Sequence, residues 1–371
     1  MVSEGWIEIA LENIIEIRNG KTSPARVDSG IFPVFGSNGI IGFSNDFNSE
    51  SETIIIGRVG AYCGSVYYHK GKCWVTDNAL CCKVKEKFDV LFIYHYLKLL
   101  NLNSFSGGSS QPLLNQSILN SIIISIPRNK EHQHRISGIL SALDDKIELN
   151  RQTNATLEAI AQATFKEWFV DFNYPGATGE MVDSERGLIP NGWRIGKLEE
   201  LITNHDRKRI PLSSQEREKR KGSYPYYGAA SILGYVDDYL FDGVYLLLGE
   251  DGTVITEDGS PVLQYVAGKF WVNNHAHVLQ GKTPFSTEFL LLYLRNTNIR
   301  HIVTGAVQPK INQGNMNDLS VIIPDRTTLL SFQEIIAPSF STILENETEI
   351  RILEGIREIL IPKLINGAIE V

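Results

Sequence analysis

The chain has 371 residues, 35 Lys and Arg against 43 Asp and Glu, a formal net charge of −8, and 43% hydrophobic residues. That length suits two domains with a core each, and no apolar run reaches the length of a membrane span. The opening MVSEGWIEIALEN carries acids where a signal peptide needs basic residues and then an apolar stretch, so the expected location is cytoplasmic.

Residues 1–128 read as a mixed α/β domain of short strands. Ile54–Ile56, Ser65–Tyr68 and Ile122–Ile126 are β-branched or aromatic runs bounded by Gly, Asn or Pro, and Val90–Leu100 has helical period and length. The four cysteines (Cys63, Cys73, Cys81, Cys82) form no C-x-x-C pair, which favours reduced thiols over a disulfide framework or zinc site. Residues 129–172 read as one long helix. Ile136, Leu140, Leu143, Ile147, Asn150, Asn154, Leu157, Ala161, Thr164 and Trp168 step by four and three, a heptad seam. Residues 173–190, rich in Pro, Gly and polar residues, read as a linker.

Residues 191–325 repeat the first domain's order, with strands at Val244–Gly249 and Leu319–Ile323 and a helix at Thr287–Arg295. Residues 326–371 carry a second seam: Phe332, Ile336, Ser339, Ile343, Asn346, Ile350, Leu353, Arg357 and Leu360. Each long helix spans about 50–60 Å and cannot bury its stripe alone, so the two are expected to pack together. Asn150 and Asn346 hold equivalent seam positions. Each is either a buried register-fixing residue or part of a wet stretch. Pro338 is expected to kink or delay the second helix, and Pro362 and Gly367 to end it.

The chain is a tandem repeat. FPVFGSNGIIGF (32–43) recurs as YPYYGAASILGY (224–235), IIIGRVG from Ile54 as LLLGEDG from Leu246, and GGSSQPLLNQSILNSIIISIP (107–127) as TGAVQPKINQGNMNDLSVIIP (304–324). Catalytic signatures are missing. Gly20-Lys21-Thr22 and Gly281-Lys282-Thr283 lack the upstream glycine of a phosphate loop, and no dinucleotide, nucleophile-elbow, zincin or amino-methyltransferase motif occurs. His132/His134 and His275/His277 have metal spacing, but no further ligand cluster accompanies them in sequence, so no metal is expected. Binding is favoured over catalysis.

Arg207, Lys208, Arg209, Arg217, Lys219, Arg220 and Lys221 crowd one segment against Asp206, Glu216 and Glu218. This is either a solvated charged loop or a phosphate-contacting one; Lys21 lies at the weaker counterpart. Gln111 and Gln308 precede Pro in the shared block, where a structural amide role is favoured over base reading because they do not differ between copies. Lys310 follows as a further cation. Residues that do differ at matched places are better candidates: Arg58 against Glu250 and Asp251, Asn78 against Asn274 and His275, and Ser37-Asn38 against Ala229-Ala230. Arg suits guanine, Asn suits adenine, and an acid can accept from cytosine N4.

These features together resemble the specificity subunit of a type I restriction–modification system. The resemblance rests on Trp6/Leu11 and Trp193/Leu198, the Gly-x-x-Gln-Pro-x-[Leu/Ile]-Asn blocks, Glu131-x-Gln133-x-x-Ile136, Lys166–Phe172 and Leu364–Ile369, and covers essentially the whole chain. The second helix departs from the pattern, since its entry keeps only Gln333 and Glu334. The resemblance implies an α+β fold: two similar α/β target recognition domains joined by two long antiparallel coiled-coil helices, in a pseudo-twofold repeat. It implies a non-catalytic reader of double-stranded DNA, each domain taking one half of a bipartite asymmetric site. Two methyltransferase subunits would dock on the helices, and restriction/translocase subunits would join the larger complex. S-adenosylmethionine would sit on the methyltransferase subunits, leaving no cofactor in this chain. The rival readings are a self-contained DNA methyltransferase or nuclease, and a tandem module for a non-DNA ligand.

Overall fold

A computed structural model describes residues 5–107, 112–305 and 307–371. The chain divides into two compact units, Met1–Asn150 with Glu349–Val371 and Arg151–Thr348. The first repeat forms β1 (Trp6–Ala10), β2 (Ile15–Asn19), β3 (Phe32–Gly36), β4 (Gly39–Ser44), β5 (Thr53–Gly57), β6 (Val66–His69), β7 (Trp74–Val75), β8 (Ala79–Val84), α1 (Val90–Leu99), α2 (Gln116–Asn120), β9 (Ile123–Pro127) and α3 (Lys130–Phe169). There follow β10 (Met181–Ser184), β11 (Gly187–Pro190), β12 (Arg194–Lys197), β13 (Ile202–Asn204), α4 (Ser214–Lys219), β14 (Lys221–Tyr227), β15 (Ile232–Val236), β16 (Phe241–Gly249), β17 (Leu263–Val272), β18 (Ala276–Gly281), α5 (Thr287–Arg295), α6 (Gln313–Asn317), β19 (Ser320–Ile323) and α7 (Arg326–Ile365).

In the first unit the antiparallel sheet runs β2-β8-β5-β6. Every residue of β5 is buried, which is why its run is continuously apolar rather than alternating. A second sheet, β4-β3-β7, joins β3 to β7 in parallel at Val34 and Trp74. The second unit adds the β10–β11 hairpin and α4 and changes the strand pairing of the same plan. Its β17 does the work of both β6 and β7, pairing antiparallel with β16 and, at Trp271, parallel with β14. The result is a single six-stranded sheet, β13-β18-β16-β17-β14-β15. Gly268, at φ +83°, lets the long strand turn its pairing edge without a break.

Each core is finished by both long helices. The first core joins Ile54, Ile56, Leu80, Phe92 and Leu97 to Ile136 and Leu140 of α3 and to Leu364 and Ile365 of α7. The second joins Leu246, Leu279, Phe289 and Leu292 to Phe165, Trp168 and Phe169 of α3 and to Phe332, Ile336 and Ile343 of α7. Within the first unit Asp144 bonds Arg357 at 2.6 Å, while Lys146 and Asn150 both reach Glu349. Within the second, Asn154 accepts from Asn346 at 2.8 Å, and the Phe165 and Phe332 rings lie 5.8 Å apart. Numbers rise along α3 as they fall along α7, so the helices run antiparallel in each unit. Asn150 is buried and bonded, which is the register-fixing alternative and not the wet one.

Equivalent glutamines brace the short helix against the long one. Gln133 accepts from the backbone N–H of Asp89, the N-cap of α1, and donates to the Pro127 carbonyl. Gln333 likewise accepts from the N–H of Ser286, the N-cap of α5, but donates to the carbonyl of Pro284 in the loop before that helix. The departure at the second helix entry therefore keeps the contact and moves it about one turn along.

Three expectations need correction. Pro338 neither delays nor divides the second helix. Three turns already precede it, and it lies exposed where water can take the freed carbonyl. Pro362 does not end it either; the stop comes at Gly367, at φ +70°, with the Ala368 N–H bonded to the Lys363 carbonyl. Residues 173–190 are not a plain linker. They contain the β10–β11 hairpin, Ile189 is buried in the second core, and Tyr174 stacks on Trp193 at 5.3 Å.

His95, 1% exposed on α1, makes a 3.4 Å contact to Ser141, and its buried Nδ1 has no hydrogen-bond partner among the described residues. Burial is the main cause that pushes its pKa down to about 4, with Asp144 and Asp89 opposing and Lys98 and Arg357 assisting. Its stabilising contribution is present above the unfolded value near 6.5 and is lost as pH falls through the folded value. Denaturant unfolding of the first unit should lose about 2 kcal/mol more between pH 7 and pH 5 in the wild type than in His95→Gln. Equal pH slopes for the two proteins would show that His95 is not held neutral.

Candidate nucleic-acid interface

In the first unit the candidates from three separate loops meet on one rim. Ser37, in the β3–β4 turn, donates to the Asn78 carbonyl at 2.6 Å. Arg58, just past β5, donates its N–H to that same carbonyl, and its own carbonyl accepts from Leu114. Lys21 bonds through its backbone to Val75 beside them. Gly57 admits this closeness, because a Cβ there would stand 2.7 Å from the Ser37 carbonyl. Lys21, Asn38 and Asn78 are exposed, and Arg58 is half-buried with no ion-pair partner among the described residues. Gln111 lies outside the described residues.

The second unit builds the same rim with different chemistry. Glu250 donates its N–H to the His275 carbonyl and accepts from Ile311. Its carboxylate is 2.7 Å from Arg209 and 3.4 Å from Lys310. Asp251 sits 2.6 Å from His275, which is half-exposed. Arg209 also reaches the carbonyls of Asn274 and Ala276, so one side chain ties the β13 loop to the turn before β18.

His277 lies beneath this rim, 1% exposed. Its Nδ1 is 2.6 Å from Asp206 and its Nε2 is 2.9 Å from the Ile311 carbonyl. A carbonyl can only accept, so Nε2 carries a proton, while Nδ1 faces the Asp206 and Glu250 carboxylates. Burial alone would lower the pKa of this imidazole, but Asp206, the Ile311 carbonyl and Glu250 raise it above the ordinary value. Burial would likewise raise Asp206, yet His277, Val278 and Asn204 hold it below the usual carboxylate range. Among the described residues Asp206, Glu250 and His277 have metal-ligand spacing, an association not visible in the sequence. Arg209 stands between the two carboxylates, 3.5 Å from Asp206 and 2.7 Å from Glu250. Together with Arg209 these groups form a buried charge network.

The basic segment is not one solvated loop. It forms a turn of helix at Asp206–Lys208, then α4, then the start of β14. Arg209 is inside the network, its side chain 14% exposed. Arg220 pairs with Asp237 and lies over the Trp271 ring at 4.8 Å. Lys221 pairs with Glu218 in the open. Lys208 remains exposed without an ion pair among the described residues. The Gln-Pro blocks divide their labour: Asn115 and Asn312 cap α2 and α6, whereas Gln308 is exposed and has no hydrogen bond among the described residues. A backbone-satisfying role therefore falls to the asparagines, not to Gln308.

A family model described as the type I restriction modification DNA specificity domain matches residues 3–159 and 190–358. The chain is 24% identical to the type I restriction enzyme MjaIX specificity subunit of Methanocaldococcus jannaschii, across 100% of this chain and 95% of that protein. It is 22% identical to the HindI specificity subunit of Haemophilus influenzae, across 71% and 72%. The crystal structure of a type I restriction–modification S subunit from M. genitalium superposes with a TM-score of 0.69 at 16% identity, covering 97% of this chain and 96% of that one, which establishes a shared fold.

Removing Arg209 should leave Asp206 and Glu250 facing each other with little solvent. Arg209→Ala is expected to destabilise the second unit by about 2–4 kcal/mol, and Lys221→Ala by under about 0.5 kcal/mol. Chemical denaturation of both variants checks this, and equal losses would refute the network.

Proposed function

The chain belongs to the type I restriction–modification DNA specificity family, and from that premise we propose that each unit reads one half of a split duplex site while α3 and α7 set the distance between the halves. As the DNA specificity subunit of its system, the chain is the non-catalytic member. The observation that carries the half-site reading is the pair of rims. Loops far apart in sequence converge on the same place in both units, over the same glycine and strand framework, yet present different side chains. A shared scaffold with changed reading groups is what two unlike half-sites require.

The residues divide by role. Arg58, Asn78, Ser37 and Asn38 in the first unit, and Asp251, His275, Asn274, Gln308 and Lys310 in the second, would meet base edges. Lys21 and Lys208 are free to meet phosphates. Glu250 is committed to Arg209 and Lys310, so its part is to hold cations in position, more than to accept from cytosine directly. Two methyltransferase subunits would dock on the long helices, where Leu149, Ile160, Ile335 and Ile352 are exposed apolar residues. Restriction/translocase subunits would join that assembly, and S-adenosylmethionine would be bound by the methyltransferase subunits. No helix among the described residues is long and apolar enough to cross a membrane.

Methylation mapping in cells tests the reading. Replacing residues 1–128 by another recognition domain should change one half of the methylated site and leave the other half and the spacer unchanged. A change in both halves, or a palindromic site, would refute it. In binding assays Lys208→Ala should weaken all duplexes alike and lower the salt slope by about one unit. Arg58→Ala should instead relax preference at one base pair by about 1–3 kcal/mol.

A further inference from the structure

Thr304 and Lys310 form the fixed base of a loop. Thr304 and Lys310 exchange backbone hydrogen bonds at 2.8 Å in both directions. Below them Ile311 donates to the Glu250 carbonyl and Gly252 to the Pro309 carbonyl, while the Lys310 ammonium is held by Glu250. His277 bonds the Ile311 carbonyl from beneath. Gly305, at φ +87°, is required by the turn, since a Cβ there would stand 2.3 Å from the Gln308 carbonyl. At the tip Val307 is 99% exposed.

A single exposed valine ordinarily needs no explanation. This one stands on the rim that carries the candidate reading residues, at the end of a loop anchored to the buried charge network. The two repeats also share this loop's frame, Gly-x-x-Gln-Pro followed by Asn, and differ at its tip. Val307 occupies the place of Ser110, and Gln308 that of Gln111. An element that positions should be the same in both copies, and an element that discriminates should differ.

We propose that Val307 is a specificity-determining residue that packs against the C5 methyl group of one thymine in the half-site read by the second unit. The thymine methyl is the apolar group presented at the major-groove edge, and apolar side chains are its natural partners. A β-branched side chain is stiff at χ1, so little rotamer freedom is lost on contact. The neighbouring Lys310 ammonium, which stands where the first repeat has Leu113, would meet a polar edge beside it.

The proposal rests on the half-site reading, and the experiment separates their failures. The full chain, assembled with its methyltransferase subunits, is titrated with duplexes carrying the mapped site. Each thymine of the half-site assigned to the second unit is replaced in turn by deoxyuridine, which lacks only the methyl group. At one position deoxyuridine should weaken wild-type binding about fourfold, the value of one buried methyl group. The Val307→Ser complex should bind that pair of duplexes equally and keep its other base preferences. A wild-type complex indifferent to every deoxyuridine, a half-site without thymine, or a Val307→Ser complex with undiminished discrimination overturns the proposal. Equal binding of the mapped site and an unrelated duplex would instead overturn the half-site reading itself.

Discussion

The structure depends on one constraint: neither repeat can close its own core. The first needs Leu364 and Ile365 from the end of α7, and the second needs Phe165, Trp168 and Phe169 from the end of α3. An α/β layer of this size has a face to bury, and a lone amphipathic helix has a stripe to bury. Sharing two long helices between two such layers solves both problems at once. The polar seam residues make the arrangement specific. Asn150 is satisfied by Glu349, and Asn154 by Asn346, so a slipped register would leave amides unpaired in a dry place.

On that common frame the rims diverge by linked changes. Gly57 pairs with Ala79 as Gly249 pairs with Ala276, which puts Arg58 and Glu250 at the same point of the fold. Around Glu250 stand Arg209, Lys310 and His277. At the matching places around Arg58 the first repeat has Thr22, Leu113 and Leu80. A carboxylate brings its cations with it, and where the central residue is itself a cation they are absent. This is the pattern expected when burial makes an unpaired charge costly and a change at one position obliges its neighbours to follow.

Much of this was legible in the sequence, for identifiable reasons. The seam is periodic over ten residues in α3 and nine in α7, so its burial and the pairing of the helices followed from spacing alone. The strands at Ile54–Ile56 and Val244–Gly249 were legible from composition. The rim residues were legible only by comparing the repeats, which isolates what differs within a constant frame. What was missed depends on contacts distant in sequence. Nothing local distinguishes Arg209 from Lys208, yet one is locked between two carboxylates and the other is exposed. Asp206, Glu250 and His277 are widely separated and meet only because β13, β16 and β18 are adjacent. Pro338 followed the helix-breaking rule too literally, because packing of Ile336 and Phe340 on either side outweighs one lost hydrogen bond.

The borrowing of helices has a consequence for the order in which the chain takes shape during synthesis. Most of the first unit, up to Asn150, leaves the ribosome long before Leu364 and Ile365 exist. Ile136 and Leu140 of α3 are already present, but the part of its core that Leu364 and Ile365 complete must wait while the whole second unit is made. The second unit meets no such delay, since it is one continuous stretch, Arg151–Thr348, that contains its own shares of both long helices. The later repeat is therefore expected to settle first, and the earlier one to be the segment that depends on chaperones in the interval. The last turn of α7 acts as the latch that completes a domain begun at the other end of the chain.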